Sequence, residues 1–238
     1  KNVQKSALKS VNVQRTGKSI LQMFAVSELV TIENRYNPTL NYRYYMIPAL
    51  MIIVLILICG FVPALSIVGE KESGTVEQIN VTPVSRFTFT LSKLLPYWII
   101  GLVDISIAMM VAWLVYGLTP VGSIFTIYAG AVCFILAISG LSVTIANYSS
   151  TMQQSIFVIF FFNMTFMLMS GMLTPIDSMP TWAQKITYFL PPRYFVEILR
   201  SVYLKGTTLV ELWRNFVALG VFALALNLFA AWTYKKRG

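Results

Sequence analysis

Residues 44–69 read YYMIPALMIIVLILICGFVPALSIVG, 26 positions without a charge, and residues 70–83 continue as EKESGTVEQINVTP. A helix rises about 1.5 Å per residue, so roughly 20 apolar residues cross the ~30 Å hydrocarbon layer of a bilayer. The first stretch is long enough to do so. The second places Glu70, Lys71, Glu72 and Glu77 within eight positions, which marks the point where the span enters water. Gly74 permits a sharp bend there. Thr75 and Gln78 have the spacing of a capping box, in which the threonine hydroxyl accepts from the Gln78 backbone N–H and the glutamine amide reaches back. Glu77 falls in the first turn, where the positive end of the helix dipole favours it. Pro83 lacks an amide hydrogen and biases Thr82 away from helix, which limits the element to about two turns. The prediction is a short, capped, acidic helix between two membrane spans.

Composition agrees with a membrane location. The 238 residues are 57% hydrophobic and 11% charged, against roughly 25% charged residues in a soluble domain. Residues 105–176 contain no Asp, Glu, Lys, Arg or His, a run with room for three crossings at about 20 residues each. The net charge of +9 accompanies no soluble basic fold, so juxtamembrane placement accounts for it better than nucleic acid does. Cys59 and Cys133 lie in apolar runs, and histidine is absent. Neither a disulfide framework nor a metal site is indicated. No G-x-x-x-x-G-K-[ST] occurs, so the chain carries no P-loop for ATP.

In chain order, residues 1–43 are polar and basic, without the apolar core of a signal peptide, and residues 30–36 read as one strand before the Asn37-Pro38 turn. Five spans follow at about 45–68, 87–118, 124–147, 155–172 and 215–234. Pro63 and Pro96 are expected to kink the first two. Residues 173–214 read as a re-entrant or interface-lying hairpin, with short amphipathic helices at 182–190 and 193–204 broken by Pro191-Pro192. On the second helix Phe195, Ile198, Leu199 and Val202 share a face, and Glu197 stands at ion-pair spacing from Arg193 and Arg200. Orientation stays open on charge alone. The Lys235-Lys236-Arg237 tail favours a cytoplasmic C-terminus, yet that topology leaves six Lys and Arg inside and twelve outside.

Three blocks together resemble the type-2 ABC transporter (ABC-2) permeases. The first is E-K-E-x-G-T-x-E-Q-I-x-V-T-P after a span. The second runs from Ser170-Gly171-Met172 through Pro175-Ile176, Ser178-Met179-Pro180, Trp182, Pro191 and Arg193-Tyr194 to Arg200 and Lys205-Gly206. The third is Asn37-Pro38 followed by Met46-Ile47-Pro48. The resemblance implies an all-α polytopic membrane protein in the bacterial inner membrane with a cytoplasmic C-terminus. Residues 1–43 would then be the remnant of an extracytoplasmic α/β domain and residues 44–238 the transmembrane domain. The family has six spans, so its first span is expected before Lys1.

By the same resemblance the chain is the permease of an exporter and catalyses no covalent step. It binds no cofactor, since ATP and Mg belong to a separate cytosolic ABC ATPase. A second permease copy, identical or paralogous, lipid and a periplasmic adaptor complete the expected partners, and nucleic acid is not among them. Glu70, Lys71, Glu72, Gly74, Thr75, Glu77, Gln78 and Pro83 would form the coupling helix docked on the ATPase, against the alternative of a solvated loop. Arg193, Glu197 and Arg200 are candidates for an external gate. Asp104, Phe157 and Phe161 are candidates for a pathway, against packing or lipid-facing roles. The rival readings are an intramembrane enzyme using Asp104 and Asp177, or a scaffold docking another cytosolic partner through residues 70–83.

Overall fold

The structure, a computed structural model, describes residues 42–74 and 86–233. The chain divides into two compact units, Lys1–Leu40 and Asn41–Gly238, and all described residues belong to the second. The strand expected at 30–36, the capped helix expected from Thr75 to Pro83 and the basic tail therefore lie outside the described residues. Within them every regular element is helical, and five helices are long and apolar enough to cross a membrane.

The first span is one rod, Arg43–Glu72, of 30 residues. At about 1.5 Å per residue it is about 45 Å long, so its last turn stands clear of the hydrocarbon. It comprises α1 (Arg43–Ile56), a π turn (Leu57–Phe61) and α2 (Val62–Glu72). The π turn lies immediately before Pro63, where a kink is expected, and is a local adjustment that re-satisfies carbonyls left without a proline N–H. The rod ends at Gly74, whose φ of +75° supplies the bend the sequence calls for. The charged residues Glu70–Glu72 remain in the helix rather than opening the next element.

The second span belongs to α3 (Arg86–Tyr116), which continues through Pro96. Next come α4 (Ile124–Tyr148) and α5 (Met152–Met169), the latter starting three residues before the predicted 155. Thr151 caps α5, its hydroxyl accepting from the Gln154 backbone N–H at 3.2 Å. The last span is α8 (Trp213–Thr233). Over half of the apolar part of α4 is buried and half of that of the first span, against 17% for the other three. These two helices are the centre and the others pack around them. Small residues on α4 (Ala131, Ala137, Ser139, Gly140, Ser142, Ala146), all buried, allow the close approach that membrane helices need where no hydrophobic effect drives association. Asn227 on α8 donates to the Leu136 carbonyl at 2.8 Å, and Asn147 on α4 donates to the Ala230 carbonyl at 2.9 Å.

Between the last two spans the chain forms a 3₁₀ turn (Ile176–Ser178), α6 (Thr181–Thr187) and α7 (Pro191–Arg200), which runs on through a π turn (Ser201–Lys205). Pro191 and Pro192 lie at the break between α6 and α7, as expected, and form the first turn of α7. At a first turn the missing N–H costs nothing and the fixed φ suits the helix. The shared face of Phe195, Ile198, Leu199 and Val202 is fully buried, with Phe195 stacked on Phe134 of α4 at 4.7 Å. The two helices differ: α7 enters the core, while α6 exposes Trp182 and Ile186 as an interface-lying segment does.

Candidate functional site

At one end of the bundle the three charges that close the first span meet three other helices. Glu70 pairs with Lys93 of α3. Lys71 Nζ donates to the carbonyl of Ala146 and to that of Asn147 at 3.2 Å, both in the last turn of α4. The Glu72 carboxylate accepts from the backbone N–H of Met152, the first residue of α5, at 2.9 Å. Helix ends leave such carbonyls and N–H groups without intrahelical partners, and the helix dipole favours a cation at the C-terminus and an anion at the N-terminus. Lys71 and Glu72 supply one of each. Of the residues assigned to docking, Glu70, Lys71 and Glu72 thus engage the bundle itself. Thr75, Glu77, Gln78 and Pro83 lie outside the described residues.

At the other end Arg200 fastens the hairpin. Its guanidinium donates to the carbonyls of Gly171 and Met172, each at 2.8 Å, and to that of Tyr45 at 3.4 Å. It also lies over the Tyr45 ring at 3.6 Å, and the Tyr45 hydroxyl donates to Gly171 at 2.9 Å. Burial lowers the Arg200 pKa from its ordinary value, but an arginine stays charged regardless. Arg193 caps the neighbouring turn, bonding Thr187 and covering the Tyr188 ring at 3.9 Å. Glu197 is exposed and pairs with neither arginine. The expected ion pairs at i,i+4 and i,i+3 do not form, because both guanidinia are taken up by carbonyls, a hydroxyl and aromatic faces. The three residues share a helix but do not make a charged cluster.

Within the membrane, Asp104 is half-buried on α3, and one carboxylate oxygen is buried without a hydrogen-bond partner among the described residues. Phe157 and Phe161 are 67% and 66% exposed on α5, opposite the buried Ser155, Ile159 and Phe166. The structure does not bring them to Asp104. Nor does any hydrogen bond or ion pair among the described residues join Asp104 to Asp177, which is exposed in the 3₁₀ turn. An ionised carboxylate at a span centre costs at least about 2.5–3.5 kcal/mol on insertion scales. Asp104→Asn is therefore expected to leave the melting temperature of the detergent-purified protein unchanged or higher. A fall of several degrees would show that the carboxylate has a structural partner.

The sequence profile described as "ABC-2 family transporter protein" matches residues 1–232. This chain belongs to the ABC-2 transporter family. It is 31% identical over 189 residues to the "Probable multidrug ABC transporter permease YbhR" of Escherichia coli (strain K12), covering 79% of this chain and 51% of that one. To YbhS of the same strain, which carries the same description, it is 28% identical over 214 residues, covering 88% and 56%. The "Linearmycin resistance permease protein LnrN" of Bacillus subtilis (strain 168) is 24% identical over 169 residues, covering 71% and 42%. The chain spans about half the length of the curated relatives it matches.

Three features of this ABC-2 family member go beyond what the sequence predicts: the seat of Lys71 on α4, the Tyr45–Arg200 stack, and the pairing of α4 with α8 through Asn147 and Asn227. Only the last left a usable signal. An asparagine inside an apolar span needs a partner within the membrane, and Asn227 sits in the C-terminal half of α8, about two turns from its end. The other two join residues 75 and 155 positions apart, which no local pattern encodes.

Proposed function

We propose that this chain is the membrane subunit of an ATP-driven exporter, carrying the pathway while a separate cytosolic subunit hydrolyses ATP. The family match over residues 1–232 carries the reading. The architecture supports it: the charged end of the first span, up to Gly74, lies beside the α4–α5 turn at one end of the bundle. On this reading that end is cytoplasmic, the C-terminus lies on the same side, and the membrane is the bacterial inner membrane. Glu77 and Gln78 then present an acidic, capped helix to basic residues of the ATPase, where charge complementarity sets register and partner choice. A second permease copy completes the pathway, and the substrate is an apolar or amphipathic compound. The descriptions of YbhR and LnrN, multidrug and linearmycin resistance, favour that class.

Glu77 is a cleaner probe of docking than Glu72, since Glu72 already holds Met152. In the full-length protein co-expressed with its ATP-binding subunit, Glu77→Lys is expected to abolish co-purification of that subunit while membrane yield stays constant. Retained co-purification would overturn docking through this segment.

A further inference from the structure

An exporter's lever is usefully described by what it is bolted to, and here the bolts are visible. Residues 75–83 are joined to the first span through Glu72, Ser73 and Gly74. If nothing else held that end, a displacement of the segment would reach only the spans on either side of it. Lys71 and Glu72 change this. Lys71 donates to the last-turn carbonyls of Ala146 and Asn147, and Glu72 accepts from the Met152 N–H. Adjacent residues of opposite charge thus grip the C-terminal end of α4 and the N-terminal end of α5, each complementary to the partial charge it meets. Only Ser149–Ser150–Thr151 lies between the gripped helix ends. The Met152 side chain also lies close over Gly69, 3.6 Å from where a Cβ would stand. The grip continues into α8, because Asn147 also donates to Ala230 and, at 3.2 Å, to Thr233.

We propose that Lys71 and Glu72 are positioning residues that carry displacement of residues 75–83 into the third and fourth spans, so that the α4–α5 turn moves with the first span as one body. The inference rests on the exporter reading above. It assigns the moving part: the centre of the bundle, not only the pair of spans flanking the segment. A contact that merely stabilised the fold would affect melting and leave nucleotide-dependent movement intact when broken.

The test uses the full-length permease with its ATP-binding subunit in lipid nanodiscs. Spin labels at Ser150→Cys, in the exposed α4–α5 turn, and Val210→Cys, exposed at the opposite end of the bundle, report the distance across the bundle. It is read without nucleotide and with ATP plus vanadate. The wild-type contacts are expected to give a nucleotide-dependent distance change. In complexes that still hold the ATP-binding subunit, Lys71→Met combined with Glu72→Leu, which removes both the donor to α4 and the acceptor from α5, is expected to lose that change, and Lys71→Arg, which keeps donors for both carbonyls, is expected to retain it. A distance change that survives in Lys71→Met combined with Glu72→Leu overturns the proposal, as does loss of the ATP-binding subunit from that variant, which would make the pair docking residues, and as does a wild-type complex that hydrolyses ATP with a stationary turn. Failure of any ATP-binding subunit to co-purify with the wild type is a different result, and it overturns the exporter reading itself.

Discussion

Gly140→Leu is expected to abolish the monodisperse folded protein in detergent, and Gly140→Ala to cost about 1–3 kcal/mol, the usual range for overpacking. Gly140 sits where α4 meets α8. A Cβ there would stand 2.8 Å from the Asn227 backbone N, 2.9 Å from the Leu226 carbonyl carbon and 3.0 Å from Asn227 Nδ2. Two of these are main-chain atoms, so no rotamer change relieves the clash and the helices must separate. Separation also lengthens the bond from Asn227 Nδ2 to the Leu136 carbonyl. In the hydrocarbon layer, where water cannot replace the lost partner, the cost of an unpaired amide adds to that of the lost contact. Gly220 on the same α8 is the control, since no described residue comes within 4 Å of its Cβ position. Gly220→Ala is expected to be neutral or to stabilise, as alanine exceeds glycine in helix propensity by up to about 1 kcal/mol. Thermal melting of both variants with size-exclusion profiles checks the pair. Equal melting temperatures would mean that α4 and α8 do not pack at Gly140.

The spans were legible because a bilayer imposes one length scale on every crossing. The uncharged run of residues 44–69 and its charged end predict a helix that crosses and then stops, and α1 with α2 does so. Helix ends were harder: α5 begins at Met152 because Thr151 caps it, a signal present in the sequence but weaker than the apolar run that follows. Pro191-Pro192 illustrates how one residue type serves opposite ends of helices. The same pair breaks a helix that precedes it and opens one that follows, and the buried face of Phe195, Ile198 and Leu199 decides for the second. The candidate site was legible only in part. The charges at Glu70–Glu72 announce an exit from the membrane, but their sequence is silent on whether they face an outside partner or the bundle's own helix ends. That choice depends on where Ala146 and Met152 come to rest. The same holds for Glu197: helical spacing brings it within reach of both arginines, and tertiary contacts of higher value remove them.

Those contacts make Arg200 the residue of the hairpin with the largest expected effect. Its guanidinium serves three carbonyls from two segments of the chain and covers one aromatic ring. Hydrogen bonds from a charged donor contribute roughly 1.5–3 kcal/mol each, and leaving a buried carbonyl without a donor carries a further desolvation cost. Arg200→Ala should therefore destabilise by several kcal/mol, near the upper end of single-residue effects, with α7 detaching from Tyr45 and from the Gly171–Met172 turn. Arg200→Lys keeps the charge but not the planar fork, and a point charge cannot serve Gly171, Met172 and Tyr45 at once while stacking on a ring. It should recover only part of the loss. Tyr45→Phe keeps the ring under the guanidinium and removes only the hydroxyl bond to Gly171, so its cost should stay near 1 kcal/mol. Glu197→Gln should change stability by no more than about 0.5 kcal/mol, as expected for an exposed side chain without a partner among the described residues. Melting temperatures of the purified variants, with limited proteolysis in the 173–212 segment, separate these four. If Glu197→Gln proved as damaging as Arg200→Ala, an ion pair at this end of the bundle would have to be restored. If only Arg200 and Tyr45 respond, the hairpin is held by a carbonyl-and-ring clamp, and any movement at this end has to break that clamp rather than a salt bridge.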